Sequence, residues 1–269
     1  PGSELGSQLV ADPRVNKVSF TGSTRVGEQI TKTAGIKRLS LELGASSPVL
    51  VTKHADLEQA AHSITLGGYV NAGQVCIAAQ RIIVEESIHD DFLAVLVPKV
   101  EAITIGDPLQ DDTMVGTLVS ESEAIRVEKA IQNAVADGAA LITGGQRNGT
   151  LLTPAIVGDV PGDHPFAQEE LFGPAVSITR ARDFDHAVVL ANSTQYGLGA
   201  GIFTQDHDES IRAMRDIDSG IVHINWTPLW RADLMPYGGM KSSGIGKEGV
   251  RTTVNEMTEW KTVIMHSRV

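Results

Sequence analysis

The stretch VNKVSFTGSTRVGEQITKTAGIKRLSLEL, residues 15–43, contains the two hydrophobic periods on which the fold depends. Residues 15–20 form a short β-rich run that ends in a Thr-Gly-Ser turn, after which Val26, Ile30 and Ala34 recur at helical spacing. Leucines at 39, 41 and 43 then alternate with polar residues, which is the period of a strand. The stretch therefore predicts a strand, a helix and a second strand.

The same alternation continues along the rest of the chain. Asp56 is placed to cap a helix, and Ser120 with Glu123 has capping-box spacing ahead of another. Further strands are predicted near 49–51, 81–84, 141–143, 175–179, 199–203, 221–224 and 259–265, with helices near 92–100, 184–192 and 207–217. This order predicts α/β architecture with a largely parallel sheet. Residues 226–246, rich in Gly, Pro and Ser, predict an ordered loop.

Composition excludes several classes of partner. The chain is 42% hydrophobic and 20% charged, as in ordinary globular proteins. Its net charge of −11 disfavours nucleic acid and anionic membrane surfaces as partners. No apolar run reaches the roughly 18 residues that a membrane-spanning helix needs. The single cysteine forms no internal disulfide, so we expect a cytoplasmic protein. The eight histidines lack metal-ligand spacing, so we expect no metal site.

Cys76, in the run NAGQVC at residues 71–76, is the first candidate for chemistry. It follows a glycine-containing turn at the end of a predicted helix, where backbone N–H groups can face a reacting atom. A thiolate in such a place is a good nucleophile if its surroundings stabilise it. The alternative is that Cys76 is a small buried hydrophobic residue.

Glu42 is the second candidate. It lies at the carboxyl end of a predicted strand, in the run LELG at residues 41–44. Sites in open α/β sheets form where parallel strands end, so Glu42 is a candidate general base. The alternative is a solvated carboxylate at the sheet edge. If both candidates act together, the Cys76 sulfur and the Glu42 carboxyl must open onto a shared cavity.

Five short motifs occur in one order along the whole chain. They are Phe20-Thr21-Gly22-Ser23-Thr24-x-x-Gly27, Leu41-Glu42-Leu43-Gly44, Gly73-Gln74-x-Cys76, Glu170-Leu171-Phe172-Gly173-Pro174 and Pro236-Tyr237-Gly238-Gly239-x-Lys241-x-Ser243-Gly244. This set resembles the aldehyde dehydrogenase superfamily, NAD(P)-dependent and non-phosphorylating, and matches its C-terminal half. The 34 residues that separate Glu42 from Cys76 also match the family.

The resemblance implies a role for each matching position. It makes Cys76 the nucleophile and Glu42 the base that activates the deacylating water. Gly22 and Ser23 match the turn that holds the cofactor pyrophosphate at a helix N-terminus, where N–H groups and the helix dipole favour an anion. It makes Glu170 the carboxylate on the nicotinamide ribose and Phe172 the ring beside the nicotinamide. For Glu170, the alternative is one half of a solvated Glu-Glu pair.

Gly244-x-Gly246-x-x-Gly249 fits the dinucleotide-binding fingerprint literally, but it follows a Gly-Ser loop rather than a strand. We therefore interpret these glycines as turn residues.

Arg231 and Tyr237 are candidate substrate contacts. The run from Arg231 to Gly239 resembles family branches that act on lactaldehyde, glyceraldehyde 3-phosphate or phosphonoacetaldehyde, so an anionic or hydroxylated aldehyde is expected. Here the guanidinium would bind phosphate, phosphonate or carboxylate. The alternative is a surface pair with Asp233.

By resemblance, the expected fold has three layers, with an incomplete Rossmann-type cofactor domain and a complete catalytic α/β domain. Residues 1–44 would end the cofactor domain, 45–242 would form the catalytic domain, and 243–256 would return to the cofactor side. Residues 257–269 would add a strand to a neighbouring subunit in a homodimer or homotetramer. The family's first cofactor strands, an oxyanion-hole Asn and a Lys near the adenosine ribose would lie upstream, so we expect this chain alone to have little activity.

The expected reaction is oxidation of an aldehyde to a carboxylic acid through a thiohemiacetal and thioester on Cys76, with NAD or NADP. One alternative is a catalytically silent fragment or structural homologue without the cofactor half. A CoA-acylating enzyme would not need Glu42 as a water-activating base. A cysteine hydrolase would need a histidine beside Cys76, and no such family signature is present.

Overall fold

The structure is a computed structural model that describes residues 2–267. Its helices are α1 (Gly2–Ala11), α2 (Thr24–Ala34), α3 (Leu57–Tyr69), α4 (His89–Glu101), α5 (Glu121–Ala136), α6 (Pro165–Gln168), α7 (Phe184–Asn192), α8 (His207–Asp216) and α9 (Val250–Met257). Its strands are β1 (Lys17–Thr21), β2 (Arg38–Glu42), β3 (Ser47–Val51), β4 (Ala79–Glu85), β5 (Ala140–Thr143), β6 (Arg147–Asn148), β7 (Leu151–Leu152), β8 (Ala155–Gly158), β9 (Ala175–Ala181), β10 (Gly199–Phe203), β11 (Ile221–Ile224) and β12 (Gly244–Ile245).

Seven strands form the large sheet, in the order β11-β10-β3-β4-β9-β8-β5. All neighbours run parallel except β5, which is antiparallel to β8. A small sheet has the order β1-β2-β12, and β6 pairs with β7 separately. The predicted α/β class with a largely parallel sheet is confirmed.

The large sheet is buried on both faces, because helices cover each of them. Val49 and Ile82 belong to a core cluster shared with α3 and α4. Leu50 and Ile83, which point to the other face, belong to a cluster shared with α7 and α8. Strands buried on both faces are continuous apolar runs, as expected for parallel strands between two helical layers. The expected three-layer arrangement is present.

Side-chain caps set the starts of several helices. Asp56 accepts a hydrogen bond from the Gln59 backbone at 3.0 Å at the start of α3. Ser120 accepts one from the Glu123 backbone at 3.3 Å at the start of α5. These bonds satisfy N–H groups that the first turn leaves without partners. Both caps were predicted from the sequence.

Several elements were not predicted, namely α1, α6, α9, β6, β7, β8 and β12, and β12 lies within the predicted loop at 226–246. The final strand predicted at 259–265 is not a strand within the described chain, because residues 258–267 form no strand pairing there. That strand was expected to join a neighbouring subunit, so the expectation stays a prediction. Residues 1, 268 and 269 of the predicted domains lie outside the described part.

The strand pairing divides the chain between two sheets. Residues 17–42 and 244–245 contribute to the small sheet, and residues 47–224 contribute the strands of the large one. β12 pairs antiparallel with β2, which brings Gly244 opposite Glu42. Glu42 therefore lies at the junction between the small sheet and the large sheet. The domain boundaries at 44, 242 and 256 stay predictions.

Candidate active site

Cys76 lies in a tight connection between α3 and β4. A turn of 3₁₀ helix over Val70–Gly73 contains three successive residues with positive φ, Asn71 (53°), Ala72 (55°) and Gly73 (67°). A Cβ on Gly73 would come within 2.1 Å of the Gly173 carbonyl oxygen, so only glycine fits there. The backbone of the Cys76 loop therefore packs directly on the loop that carries Glu170 and Phe172.

The Cys76 sulfur is half-buried in an apolar cluster that includes Ala45, Ile77 and Leu198. Its hydrogen-bonding neighbour is the Tyr237 hydroxyl, 3.1 Å from Sγ. Burial raises the pKa of the thiol, the Tyr237 hydrogen bond lowers it, and the negative charges of Glu170 and Glu42 raise it further. Apolar packing is therefore only part of the surroundings of the sulfur.

Glu42, the last residue of β2, is buried rather than solvated at a sheet edge, with 6% of its surface exposed. Its Oε2 atom has no hydrogen-bond partner among the described residues. Burial and the negative charge of Glu248 raise its pKa from 4.5 to about 7, against the opposing charges of Lys247 and Arg231. A carboxylate with this pKa is suited to take a proton near neutral pH.

Two consecutive residues contact the sulfur and the carboxyl. Tyr237 contacts the Cys76 sulfur through its hydroxyl. Gly238 lies against the Glu42 carboxyl, because a Cβ on Gly238 would come within 2.6 Å of Oε1. The Pro-Tyr-Gly-Gly motif thus lies between the two predicted catalytic residues.

Ser243 joins two of the motifs. Its hydroxyl donates to the Gly44 carbonyl at 2.7 Å and accepts from the Gly197 N–H at 3.0 Å. Its own carbonyl accepts from the Leu43 N–H at 2.9 Å. Ser243 is fully buried, so these bonds are shielded from water and fix the loop after Glu42 against the glycine-rich loop.

Glu170 points into the site and is not part of a solvated pair. Its Oε1 accepts from the Ala45 N–H at 3.0 Å, and burial raises its pKa, whereas Glu169 is exposed. Gln80 holds this turn, because its side chain donates to the Glu169 carbonyl at 2.7 Å and accepts from the Leu171 N–H at 2.8 Å.

Phe172 has φ of 51° and keeps 39% of its surface exposed. A large apolar ring held out at the end of a fixed turn can cover a flat ligand.

The start of α2 can accept an anion. Ser23 is the N-cap, but its side chain makes no capping hydrogen bond, so N–H groups of the first turn are left for another acceptor. The Gly22 N–H donates to the Glu42 carbonyl at 3.0 Å, and the Gly44 N–H donates to the Thr24 hydroxyl at 3.3 Å. These contacts place the helix start beside the loop that carries Glu42.

The chemistry of these groups fits a nicotinamide dinucleotide. The N-terminus of α2, with Gly22 and Ser23, suits a pyrophosphate. Glu170 offers a carboxylate for ribose hydroxyls, since its Oε2 lies over the open face of Gly44, where a Cβ would approach it to 2.9 Å.

Gly244, Gly246 and Gly249 have φ of 145°, 82° and 110°. Gly244 begins β12, Gly246 lies in the turn after it, and Gly249 is the N-cap of α9. Their positive φ angles fit the interpretation as turn residues, although they lie between a two-residue strand and a helix rather than in a Gly-Ser loop alone.

Arg231 pairs with Glu248, not with Asp233. The guanidinium lies 3.2 Å from Glu248 Oε2, and its carbon is 4.1 Å from the centre of the Tyr237 ring. The structure therefore brings Arg231 and Tyr237 together beside the two predicted catalytic residues.

Sequence reasoning missed Gln80, Lys247 and Glu248. Lys247 donates to the Gly238 carbonyl and, at 3.1 Å, to the Gly239 carbonyl. Glu248 is bound to Tyr237 through two backbone hydrogen bonds, of 2.6 and 3.0 Å. The only signal was a Lys-Glu pair directly after a glycine-rich loop, and no spacing connects such a pair to Glu42.

Two further observations concern metals and membranes. Within residues 2–267, no group of three or more His, Cys, Asp or Glu side chains is placed to hold a metal ion. None of the described helices has the length and apolarity needed to span a bilayer.

Comparison with known proteins agrees with this geometry. Residues 1–263 match the aldehyde dehydrogenase family. A lactaldehyde dehydrogenase from Methanococcus aeolicus is 40% identical over 267 residues, which is 99% of this chain and 57% of that protein. A 3-sulfolactaldehyde dehydrogenase from Priestia megaterium is 41% identical, over 98% of this chain and 56% of that protein. The chain thus spans little more than half the length of these curated relatives.

The backbone of this chain is also similar to those of solved structures. A glyceraldehyde-3-phosphate dehydrogenase from Methanocaldococcus jannaschii, complexed with NADP, superimposes with a TM-score of 0.96 at 41% identity, covering 98% of this chain and 58% of that one. An NAD-dependent aldehyde dehydrogenase from Sinorhizobium meliloti gives 0.94 at 36% identity, covering 97% and 53%.

Proposed function

Because this chain belongs to the aldehyde dehydrogenase family, we propose that the complete protein carrying it oxidises an aldehyde to a carboxylic acid with NAD or NADP. The observation that carries the proposal is that a half-buried thiol and a buried carboxyl contact consecutive residues, Tyr237 and Gly238, and that the charge of the carboxyl acts on the thiol. A nucleophile and a base at one point can form and then hydrolyse a covalent intermediate.

The first step is attack by the Cys76 thiolate on the carbonyl carbon. A carbon–sulfur bond forms, and the carbonyl electron pair moves onto oxygen. Backbone N–H groups near Cys76 stabilise this oxyanion where the charge develops. When bound, the nicotinamide cofactor supplies the hydride acceptor, and the acyl group is left on Sγ as a thioester.

The second step is hydrolysis of the thioester, with Glu42 as the general base. Glu42 takes a proton from water, the hydroxide oxygen adds to the acyl carbon, and the carbon–sulfur bond breaks to give the acid and the free thiolate. Its pKa of about 7 suits the task, because the base is then ionised over a useful range near neutral pH and still basic enough to accept a proton. This base is also what separates the proposal from acyl transfer to CoA.

Four residues are proposed to hold the cofactor. Gly22 and Ser23 would bind the pyrophosphate, Glu170 the nicotinamide ribose, and Phe172 would lie beside the nicotinamide ring. The uncapped start of α2 and the inward carboxyl of Glu170 support these assignments.

For the substrate, we propose a short 2-hydroxyaldehyde. Three relatives are named for lactaldehyde, 3-sulfolactaldehyde and glyceraldehyde 3-phosphate. All three compounds carry a hydroxyl beside the aldehyde carbon, and two carry an anionic group on the third carbon. Arg231, beside Tyr237, is the cation proposed to bind that anion in exchange for Glu248.

Arg231→Met tests this assignment in the complete protein. We expect kcat/KM for the phosphorylated or sulfonated aldehyde to fall about tenfold or more, and that for lactaldehyde to fall much less, because a charge-assisted hydrogen bond is lost. Arg212→Met is the matched control, since Arg212 also lies over a ring, Phe184 at 4.7 Å, and also pairs with an acid, Asp185. Equal losses for charged and uncharged aldehydes would remove Arg231 from anion binding.

We propose that the protein is a homodimer or homotetramer of the cytoplasm. The segment 258–267 supports the first part, because Trp260 is 99% exposed and Val263 and Ile264 are more than two-thirds exposed. Addition of this segment to the sheet of a neighbouring subunit would bury it. The single cysteine of this chain suits a reducing compartment.

The function is tested by assaying the complete protein with a panel of aldehydes and with NAD and NADP, beside its Cys76→Ala variant. We expect reduction of one or both cofactors, greatest with 2-hydroxyaldehydes, and loss of roughly 10³-fold or more in the variant with cofactor binding kept. Appreciable turnover by Cys76→Ala, or no aldehyde oxidation by the wild type, would contradict the proposal.

A further inference from the structure

The Tyr237 hydroxyl occupies a position that the reaction outlined above does not use. It lies 3.1 Å from the Cys76 sulfur, and the side chain is almost fully buried, with 4% exposed. Of the side chains in residues 2–267, this hydroxyl is the one that makes a hydrogen bond with Sγ. The phenol therefore contacts a reacting atom, not only the space where a substrate would lie.

Both the backbone and the ring of Tyr237 are held, so the contact is built into the fold. The backbone of Tyr237 makes a two-bond bridge with Glu248, of 3.0 and 2.6 Å. The Arg231 guanidinium covers the ring at 4.1 Å, which adds a cation–π contact. A phenol fixed in this way keeps its hydroxyl aimed at the sulfur without further loss of side-chain freedom.

The charges around the sulfur disfavour the thiolate, so a hydrogen-bond donor would stabilise it. Glu170 and Glu42 both face the thiol with negative charge, and burial also disfavours the thiolate. The nearby cations, Lys247 and Arg231, act on Glu42 and Tyr237. Of the groups that surround the thiol, the Tyr237 hydroxyl gives the main effect in favour of the ionised sulfur.

The phenol keeps its proton and so remains a donor. Burial raises the pKa of Tyr237 well above its usual value, and the neighbouring Cys76 and Glu42 raise it further, against the smaller effect of Arg231. Proton transfer from this phenol to the thiolate is therefore unfavourable, whereas donation of a hydrogen bond is favourable.

We propose that Tyr237 is a catalytic residue of the acylation step, which donates its phenolic O–H to the Cys76 thiolate and stabilises the nucleophile between two carboxylates. The inference rests on the proposed function, because it assumes that Cys76 is the nucleophile. Once the carbon–sulfur bond forms, the sulfur is no longer an anion and this hydrogen bond weakens. Tyr237 therefore acts on acylation and has no part in the hydrolysis that Glu42 serves.

Tyr237→Phe in the complete protein removes one hydroxyl and keeps the ring under Arg231. The pH dependence of alkylation by iodoacetamide, without aldehyde, gives the pKa of the Cys76 thiol after subtraction of labelling in Cys76→Ala. We expect Tyr237→Phe to raise this pKa by about one to two pH units, the value of a hydrogen bond to an ionised group. The first turnover at pH 7 should then slow by about 10- to 100-fold, with the hydrolysis rate of a preformed acyl-enzyme unchanged.

Tyr69→Phe is the matched control. Tyr69 is also a buried phenol, and its hydroxyl donates to the Ala155 carbonyl at 2.8 Å, not to the sulfur. Its loss should lower the melting temperature and leave the pKa of the Cys76 thiol unchanged. A thermal melt of Tyr237→Phe shows that this variant is folded when it is assayed.

The outcomes separate the two proposals. An unchanged or lowered thiol pKa in Tyr237→Phe would overturn the inference, because the hydroxyl would then accept from the thiol or be indifferent to it. An equal effect on acylation and hydrolysis would also overturn it. Neither result affects the proposed function, which fails instead if Cys76→Ala retains turnover.

Discussion

The two main sheets differ in how completely they are buried. The candidate site lies at the end of β2, where the small sheet becomes as buried as the large one. In the large sheet, every residue of β3, β4 and β10 is buried. In the small sheet, β1 has no fully buried residue, and β2 passes from an exposed Arg38 to a buried Leu41 and Glu42. Burial is the main cause that raises the pKa of Glu42, so the proposed base acquires this property from its place at the end of β2, where that strand meets the large sheet.

The two sheets also carry different parts of the candidate site. The Cys76 loop leads directly into β4 of the fully buried large sheet, whereas Glu42 and the start of α2 belong to the small sheet, which has a thinner core. Among the described residues, that core has five buried apolar residues, and Val18 and Leu39 are among the half-buried residues packed on it. We therefore expect substitutions in the two sheets to have unequal effects on stability.

The largest expected effect on stability is in the large sheet. Ile82, in β4, is fully buried, and Ile82→Ala should lower the free energy of unfolding by about 2–5 kcal/mol. Leu39→Ala in β2 should cost about 1–2 kcal/mol, because less apolar area is lost from a half-buried position. Urea denaturation measures both. Equal losses in the free energy of unfolding would contradict the comparison, because they would show that the small sheet is as well covered as the large sheet.

The next effect is the pH dependence of hydrolysis. Glu42, the proposed base, can accept a proton only when ionised, and its pKa is about 7. The rate of deacylation should therefore rise about tenfold per pH unit below pH 7 and level off above it. Rapid mixing at pH 5.5–8.5 measures this.

The variant Glu248→Gln tests one cause of the raised pKa of Glu42. It removes a negative charge that raises the pKa of Glu42, so the midpoint should move to lower pH. A rate that is flat from pH 5.5 upward in the wild type would mean that the junction does not desolvate Glu42.

The smallest effect compares two helix caps. Asp56→Ala at the start of α3 should cost about 1 kcal/mol, because the bond to the Gln59 N–H is lost. Ser23→Ala at the start of α2 should cost close to nothing in stability, since Ser23 makes no capping bond, and should instead weaken cofactor binding. Thermal melts and calorimetric titration with NADP give the two quantities. A comparable stability loss in Ser23→Ala would argue against an anion-binding role for this helix start.

The regular elements were predictable where local signals are strong. The strand Gly199–Phe203 and the helix Phe184–Asn192 occur as predicted, because period and turn residues agree there. The strand Ala155–Gly158 was missed, since three apolar residues and a glycine give no period. The helix Val250–Met257 was missed because it has few apolar residues and no side-chain cap.

The site was predictable as a set of motifs but not as a set of contacts. The motifs predict Cys76 and Glu42, and the fold places both against the Tyr237–Gly238 stretch. No pattern in the sequence indicates that the Tyr237 hydroxyl meets a sulfur 161 residues away, or that Gln80 holds the turn before Leu171. Such contacts depend on how loops from different strands pack, which only the whole fold determines.

The central claim is that Cys76 and Glu42 act in turn on one acyl group, and pre-steady-state kinetics of Glu42→Gln tests it most directly. With saturating aldehyde and cofactor, we expect about one equivalent of reduced cofactor per site, then almost no turnover, and a mass increase of one acyl group on Cys76. Glu169→Gln, an exposed carboxylate nearby, should turn over like the wild type. Steady turnover by Glu42→Gln at the wild-type rate, or an acyl group trapped on any residue other than Cys76, would contradict the account.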